Sequence, residues 1–256
     1  MPVRVSSGVP YTGSRLLALS ATTLAAAGGI GTLPFAVTPA RASGPDRTLS
    51  DEVSRSRWAY VVSGDRIRRA PRPSARVVSR LHFYTEDNAR EVYLLLRSHV
   101  DARGVEWIRL RVPGRPNGRT GWVRRRALGP FHFTRWRVVV SRRRLRMRVL
   151  HAGRRRWSAP VGVGRPGTPT PAGRFWIRER IPVSNRASGY WPFAFGTAAY
   201  STLTDWPGGG VVGIHGPYFA AAAIPGRISH GCIRLRARDD AWLARHIEVG
   251  TPLLIR

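Results

Sequence analysis

Apolar and polar positions divide this chain into short extended segments rather than long helical stripes. Brief apolar runs recur at Trp58-Ala59-Tyr60-Val61-Val62, Val77-Val78, Val92-Tyr93-Leu94-Leu95-Leu96 and Gly121-Trp122-Val123, with turn residues between them, as at Arg72-Pro73-Ser74. In Trp107-Ile108-Arg109-Leu110 the pattern alternates with period two, which predicts a strand with one buried face. Asn117-Gly118 predicts a hairpin turn, because both residues tolerate positive φ. Residues 57–128 are therefore expected to form a small all-β module. Trp107 and Trp122 either fill its interior or offer an aromatic binding surface, and a small barrel needs such rings inside.

The second half repeats the pattern. Trp136–Val140, Leu145–Leu150, Phe175–Ile177, Val211–His215 and Thr251–Ile255 read as strands, and Leu145 to Val149 alternates with Arg, giving one buried and one basic face. Residues 182–210 show no clear period but carry Tyr190, Trp191, Phe193, Phe195, Tyr200 and Trp206, and they read as a long loop. Tyr190 and Trp191 either line a substrate cleft or simply pin that loop. Asp239, Asp240, Trp242, Leu243 and Ile247 have helical spacing, with the two acids in the first turn, where they complement the helix dipole.

The first 42 residues have a basic start at Arg4 and Arg15, an apolar run from Leu16 to Val37 and small residues at Ala40-Arg41-Ala42. That is the order of a cleavable export signal, and the alternative is a retained membrane anchor. Export places the rest of the chain in a cell wall or periplasm-like envelope space. Residues 43–56 are polar and read as a linker.

Charge changes the picture in one respect. The chain carries 43 basic and 14 acidic residues, a formal net charge of +29, and has no lysine. The arginines are spread along the chain and not gathered on a recognition helix, so nucleic acid is not the expected partner. Anionic wall polymers or a membrane surface would attract the same charge.

The chemistry gathers around a single cysteine. Cys232 has no second cysteine to pair with and too few companions for a four-ligand zinc site. It is therefore a small buried residue or a nucleophile. Its neighbours, Ser229-His230-Gly231-Cys232-Ile233-Arg234-Leu235, favour the second reading, because a thiol nucleophile needs an imidazole, positive charge and free backbone N–H groups. Neither a metal nor an organic cofactor is expected, since acyl transfer by a thiolate requires none.

His215-Gly216, thirteen intervening residues and then His230-Gly231-Cys232-Ile233-Arg234-Leu235 resemble the catalytic signature of the YkuD-type L,D-transpeptidases. Thr168-Pro169-Thr170-Pro171-Ala172-Gly173-Arg174-Phe175 is similar to the same family's Thr-Pro turn, and the resemblance covers about residue 135 to the C-terminus. Pro217 departs from the Thr or Ser usual after His-Gly. The module at 57–128, ending in Gly121-Trp122-Val123, is similar to bacterial SH3-like modules. The fold class this implies is mainly β, a small SH3-like barrel followed by a β-sandwich-like catalytic domain over 129–256 with short helices.

The resemblance implies Cys232 as nucleophile and His215 as general base, oriented by the Gly216 carbonyl. Gly231 and Cys232 N–H groups are candidates for an oxyanion hole. Arg234 is a candidate for holding a substrate carboxylate or favouring the thiolate. Ser229 and His230 either take part directly or shape the pocket. The implied reaction is 3→3 cross-linking of peptidoglycan stem peptides through a thioester, with carbapenem-type β-lactams as covalent inhibitors. Water as acceptor would make it an L,D-carboxypeptidase, and a non-catalytic wall-binding protein is the reading of another class.

Overall fold

The computed structural model describes residues 44–205 and 207–256. The expected export signal and Trp206 lie outside them. Among the described residues no helix is long and apolar enough to cross a membrane.

The first eight strands form one sheet: β1 (Gly44–Thr48), β2 (Ser56–Tyr60), β3 (Arg66–Arg68), β4 (Val77–Arg80), β5 (Val92–Val100), β6 (Glu106–Arg111), β7 (Thr120–Arg124) and β8 (His132–Thr134). Their order is β4-β3-β7-β6-β5-β2-β8, with β1 also on β5. Strand β5 is long enough to pair β2 along residues 92–95 and β1 along residues 97–100.

Three expectations change here. The sheet is open, ending at β4 and β8, and does not close into a barrel. The supposed linker contributes β1, and Asp51 then turns the chain by accepting N–H bonds from Val53, Ser54 and Arg55. Polar residues fit an edge strand, where one side faces water, so composition alone cannot tell it from a linker. Residues 132–134, placed with the second domain on sequence, extend the first sheet beside β2. Trp107 and Trp122 are buried, so they serve as core and not as an exposed binding face.

Two further sheets follow. One has the order β11-β10-β9-β19-β13, from β9 (Trp136–Ser141), β10 (Arg146–His151), β11 (Arg154–Pro160), β13 (Gly173–Trp176) and β19 (Pro252–Ile255). The other has the order β14-β15-β16-β18-β12-β17, from β12 (Gly162–Gly164), β14 (Ile181–Pro182), β15 (Phe193–Tyr200), β16 (Val211–His215), β17 (Gly226–Ser229) and β18 (Ile233–Arg234). Inner-face residues of both, such as Val138, Met147 and Leu253 against Phe195, Ile214 and Ile233, share one core with Leu243 of helix α1 (Ala237–His246). This is the expected sandwich.

Strand β15 falls inside the stretch read as a loop. Its residues 195–200, including Thr197, are all buried, so no polar and apolar faces alternate along it, and periodicity cannot distinguish it from irregular chain. Asp240 lies in the first turn of α1 as expected, but its side chain is buried and accepts the Phe193 N–H at 3.0 Å. Burial pushes its carboxyl up to about 8, so at neutral pH it holds its proton and adds little to the helix dipole.

The first sheet packs onto the sandwich. Trp58, Val92 and Leu94 belong to the sandwich's core, and Trp176 donates its indole N–H to the Val92 carbonyl at 2.8 Å. Buried Arg178 forms ion pairs with Glu91 and Glu86 of the first module. The β6–β7 connection also grips the second domain. Asn117 donates to the Tyr200 carbonyl and accepts its N–H, while Arg115 donates to the carbonyls of Ser201, Leu203 and Gly209.

Candidate active site

Register places the chemistry. Strands β16 and β18 run parallel with Ile214 opposite Ile233 and His215 opposite Arg234. Because successive side chains alternate faces, Ile214 and Ile233 enter the core while His215 and Arg234 share the other face. One step back, Gly213 comes beside Cys232. A Cβ at Gly213 would lie 3.9 Å from Cys232 Sγ and 3.6 Å from His215 Cδ2, so thiol and imidazole flank one bare spot on the sheet. The Gly213 N–H donates to the sulfur at 3.4 Å.

His215 is buried, and its Nδ1–H donates to the Gly216 carbonyl at 2.8 Å, which leaves Nε2 with its lone pair. Gly216 has to be glycine for want of space, because a Cβ there would sit 1.7 Å from the Trp191 carbonyl. Burial, reinforced by the Arg234 cation, pushes the imidazole down to about 4 against the pull of the Gly216 and Gly189 carbonyls. Burial pushes the Cys232 thiol up, opposed by the Gly213 N–H and Arg234. The resting pair is therefore thiol and neutral imidazole, with His215 free to act as a base. Dense packing around the sulfur raises the thiol, yet Cys232 is only half-buried and reaches the surface of two cavities.

The loop before Cys232 is held from two sides. Gly231 adopts φ +127, a conformation that side chains disfavour. Thr170 Oγ accepts the Gly164 N–H at 2.9 Å and donates to the Gly231 carbonyl at 2.7 Å, tying the Thr-Pro turn to the cysteine loop. Ser229 Oγ donates to the Cys232 carbonyl at 2.6 Å and accepts the Gly231 N–H at 3.1 Å. Ser229 thus braces the loop. The Gly231 N–H, expected in an oxyanion hole, is already committed to it, and the Cys232 N–H is the remaining candidate of the two.

Two cavities meet at the thiol. The first, about 230 Å³, is lined by Arg165, Tyr190, His215, His230, Cys232 and Arg234 among others. The second, about 510 Å³, reaches from Cys232, His215 and Tyr190 past Gly213 and Gly196 to Glu179 and Asp87. Tyr190 lies on both, with its ring 4.6 Å from that of His215. Trp191 lines neither; its ring lies beneath the Arg186 guanidinium at 5.6 Å, and it acts through its carbonyl. Arg234 lines the first cavity with its guanidinium 4.8 Å over the Tyr218 ring.

Sequence reasoning missed Tyr218, Arg165, Glu179 and Asp87, which no motif connects to Cys232. Only Arg165 had a local signal, its place in the glycine-rich turn before the Thr-Pro segment. Among the described residues no group of three or more His, Cys, Asp and Glu is placed to hold a metal ion.

A thiol, a neutral imidazole with its lone pair available and two clefts converging on them make a site suited to thiol-based acyl transfer between two substrates. Residues 135–255 match the family model of YkuD, the L,D-transpeptidase catalytic domain. A curated relative, L,D-transpeptidase 1 of Mycobacterium tuberculosis, is 31% identical over 106 residues, spanning 37% of this chain and 39% of the relative. The chain thus spans well under half the length of that relative. A solved L,D-transpeptidase from Mycobacterium tuberculosis H37Rv overlaps 59% of this chain and 90% of its own at 17% identity, with a TM-score of 0.39. An Enterococcus faecium L,D-transpeptidase bearing a cysteine-to-serine substitution overlaps 47% and 49% at 22% identity, with a TM-score of 0.37.

Proposed function

We propose that this chain is a cysteine-dependent L,D-transpeptidase that joins peptidoglycan stem peptides by 3→3 cross-links. The observation that carries the reading is the placement of Cys232 Sγ and an anchored, neutral His215 on either side of bare Gly213, within the YkuD segment.

Nε2 of His215 takes the Cys232 proton as sulfur attacks the carbonyl before the stem's terminal D-alanine. The C–S bond forms, the amide C–N bond breaks, and the proton passes from His215 to the departing amine. The Cys232 N–H meets the developing oxyanion. The first cavity suits the donor stem, because Arg234 and Arg165 there can hold its terminal carboxylate. His230 shapes that cavity's wall. Tyr190, on both cavities, closes over the imidazole. The acceptor amine then displaces sulfur from the thioester.

A carboxypeptidase reading replaces the amine by water at the same site. The spread of arginine suits anionic wall polymers as a docking surface, and the N-terminal export segment suits an envelope location. The first module, SH3-like in its sequence pattern, serves by bracing the catalytic domain.

A carbapenem tests the enzyme reading. Wild type should gain the mass of one covalent adduct and Cys232→Ala should gain none; an unmodified wild type would exclude a reactive thiol and favour a wall-binding protein. Incubation with disaccharide-tetrapeptide, read by mass for dimer or hydrolysis, separates transpeptidase from carboxypeptidase.

A further inference from the structure

The two cavities that meet at Cys232 carry opposite charge. The first presents Arg165 and Arg234. The second presents Asp87 and Glu179, in a chain where bases outnumber acids 43 to 14. Arginine compensates the nearby acids Glu86 and Glu91, which pair with Arg178. Among the described residues neither Asp87 nor Glu179 makes a salt bridge. Glu179 is 3% exposed and its Oε2 has no hydrogen-bond partner. A buried carboxylate oxygen left unpaired is costly unless something arrives to meet it.

The floor of this cleft is stripped of side chains. Gly196 of β15 lies directly opposite Gly213 of β16 in an antiparallel pair, so their absent Cβ atoms would point the same way, about 5 Å apart. A Cβ on Gly196 would meet Glu179 Oε2 at 2.6 Å, and one on Gly213 would meet Cys232 Sγ at 3.9 Å. The carboxylate and the sulfur stand over neighbouring bare positions on one face. Asp87 comes from the first module, in the turn between β4 and β5, and is exposed in the same cleft.

We propose that Glu179 and Asp87 form the acceptor site, binding the ammonium of the incoming amine and taking its proton before it attacks the thioester. This rests on the transpeptidase reading above. An ammonium cannot attack a carbonyl. The acceptor R–NH₃⁺ gives one proton to the Glu179 carboxylate, and its freed lone pair attacks the thioester carbon. The C–N bond forms, the C–S bond breaks, and the amine's second proton reaches sulfur through His215. Amide, Cys232 thiol and protonated Glu179 are the products, and the carboxyl returns its proton to water. Burial pushes Glu179 up, as does Asp87 through its charge and a shared hydrogen bond, against Thr85 and Arg178. The first module thereby completes the site, since Asp87 is its residue. Negative charge at this site also favours a cationic acceptor over water, which carries no charge to meet it.

The test reads how the acyl-enzyme divides between amine and water. Wild type, Asp87→Asn and Glu179→Gln are each acylated with a tetrapeptide stem and then given an acceptor stem with a free diaminopimelate side-chain amine. Dimer and hydrolysed product are counted by mass spectrometry. The dimer-to-hydrolysis ratio should fall roughly tenfold or more in each variant, the usual effect of losing a charged hydrogen bond. With hydroxylamine, a neutral nucleophile at pH 7.5, the ratio should not move. An unchanged ratio with the stem acceptor overturns the proposal. An equal loss with hydroxylamine overturns it too, since the carboxyls would then only support the fold. Should Glu179→Gln fail to fold, exposed Asp87→Asn decides alone. A wild type that forms no thioester at all instead removes the transpeptidase reading, a result distinct from normal acylation with unaltered partition.

Discussion

The resting protonation state of His215 can be tested by lowering the pH. The imidazole moves from an ordinary 6.5 to about 4, because it is buried beside the Arg234 cation. That difference amounts to about 3 kcal/mol against protonating the ring. At pH 5.5 an ordinary histidine would be about one-tenth neutral, whereas one titrating near 4 stays more than about nine-tenths neutral. Since the base works only when neutral, the rate of acylation by a carbapenem should hold its plateau from pH 7.5 to 5.5 and fall only towards pH 4. Stopped-flow absorbance of the β-lactam, with adduct mass as a check and circular dichroism to confirm folding at each pH, measures this directly. In the same series iodoacetamide, which reports thiolate alone, should react slowly at pH 7 and faster under alkaline conditions, because the thiol is pushed up. A tenfold loss of acylation between pH 7.5 and 5.5, centred near 6.5, would refute the neutral-imidazole argument. Rapid alkylation at pH 6 would refute the thiol half of it.

Other positions give further expectations. Asp240 is fully buried and its carboxyl is pushed up to about 8, from 3.8 unfolded, so the folded state binds a proton that the unfolded chain has lost. Stability should therefore decline by several kcal/mol, on the order set by that gap, as pH rises from about 4 to 8, and flatten above it; urea melts should show this in wild type and lose it in Asp240→Asn. Thr170→Val leaves the Gly164 N–H and the Gly231 carbonyl without their shared hydroxyl, so we expect a loss of about 2–4 kcal/mol in denaturant midpoint analysis, together with slower acylation. Gly216→Ala drives a methyl into the Trp191 carbonyl, and acylation should fall by about a hundredfold or more, as misplacement of a base by an ångström does; wild-type kinetics would contradict the contact. Asn117→Ala breaks both bonds to the Tyr200 backbone, so hydrogen exchange should rise along residues 198–203 while the first sheet stays protected.

Much of this protein was legible along the chain. Alternation marked β6 and β10, and short apolar runs marked β9 and β16; in β10 the buried Met147 and Val149 sit between more exposed arginines, the period-two record of one face in a core and one towards water. The single cysteine and its His-Gly neighbours marked the candidate site, because thiol chemistry requires those residue types wherever the chain places them. The sequence could not mark β15, whose run of buried residues removes the alternation, nor β1, whose polar residues suit an exposed edge. It suggested a barrel where the strands leave an open sheet, since closure depends on which edges meet and not on what each strand contains.

Only the folded chain could bring Gly213 beside Cys232, nineteen residues later, through the parallel register of β16 and β18. The same fold commits the Gly231 N–H to Ser229 and sets Asp87 of one module beside Glu179 of another in a single cleft. Residue types decide what chemistry a chain can perform, because they carry the pKa values and lone pairs. Distances between groups far apart in sequence, and the water that burial removes from around them, arise from long-range strand pairing and packing, which no local stretch encodes.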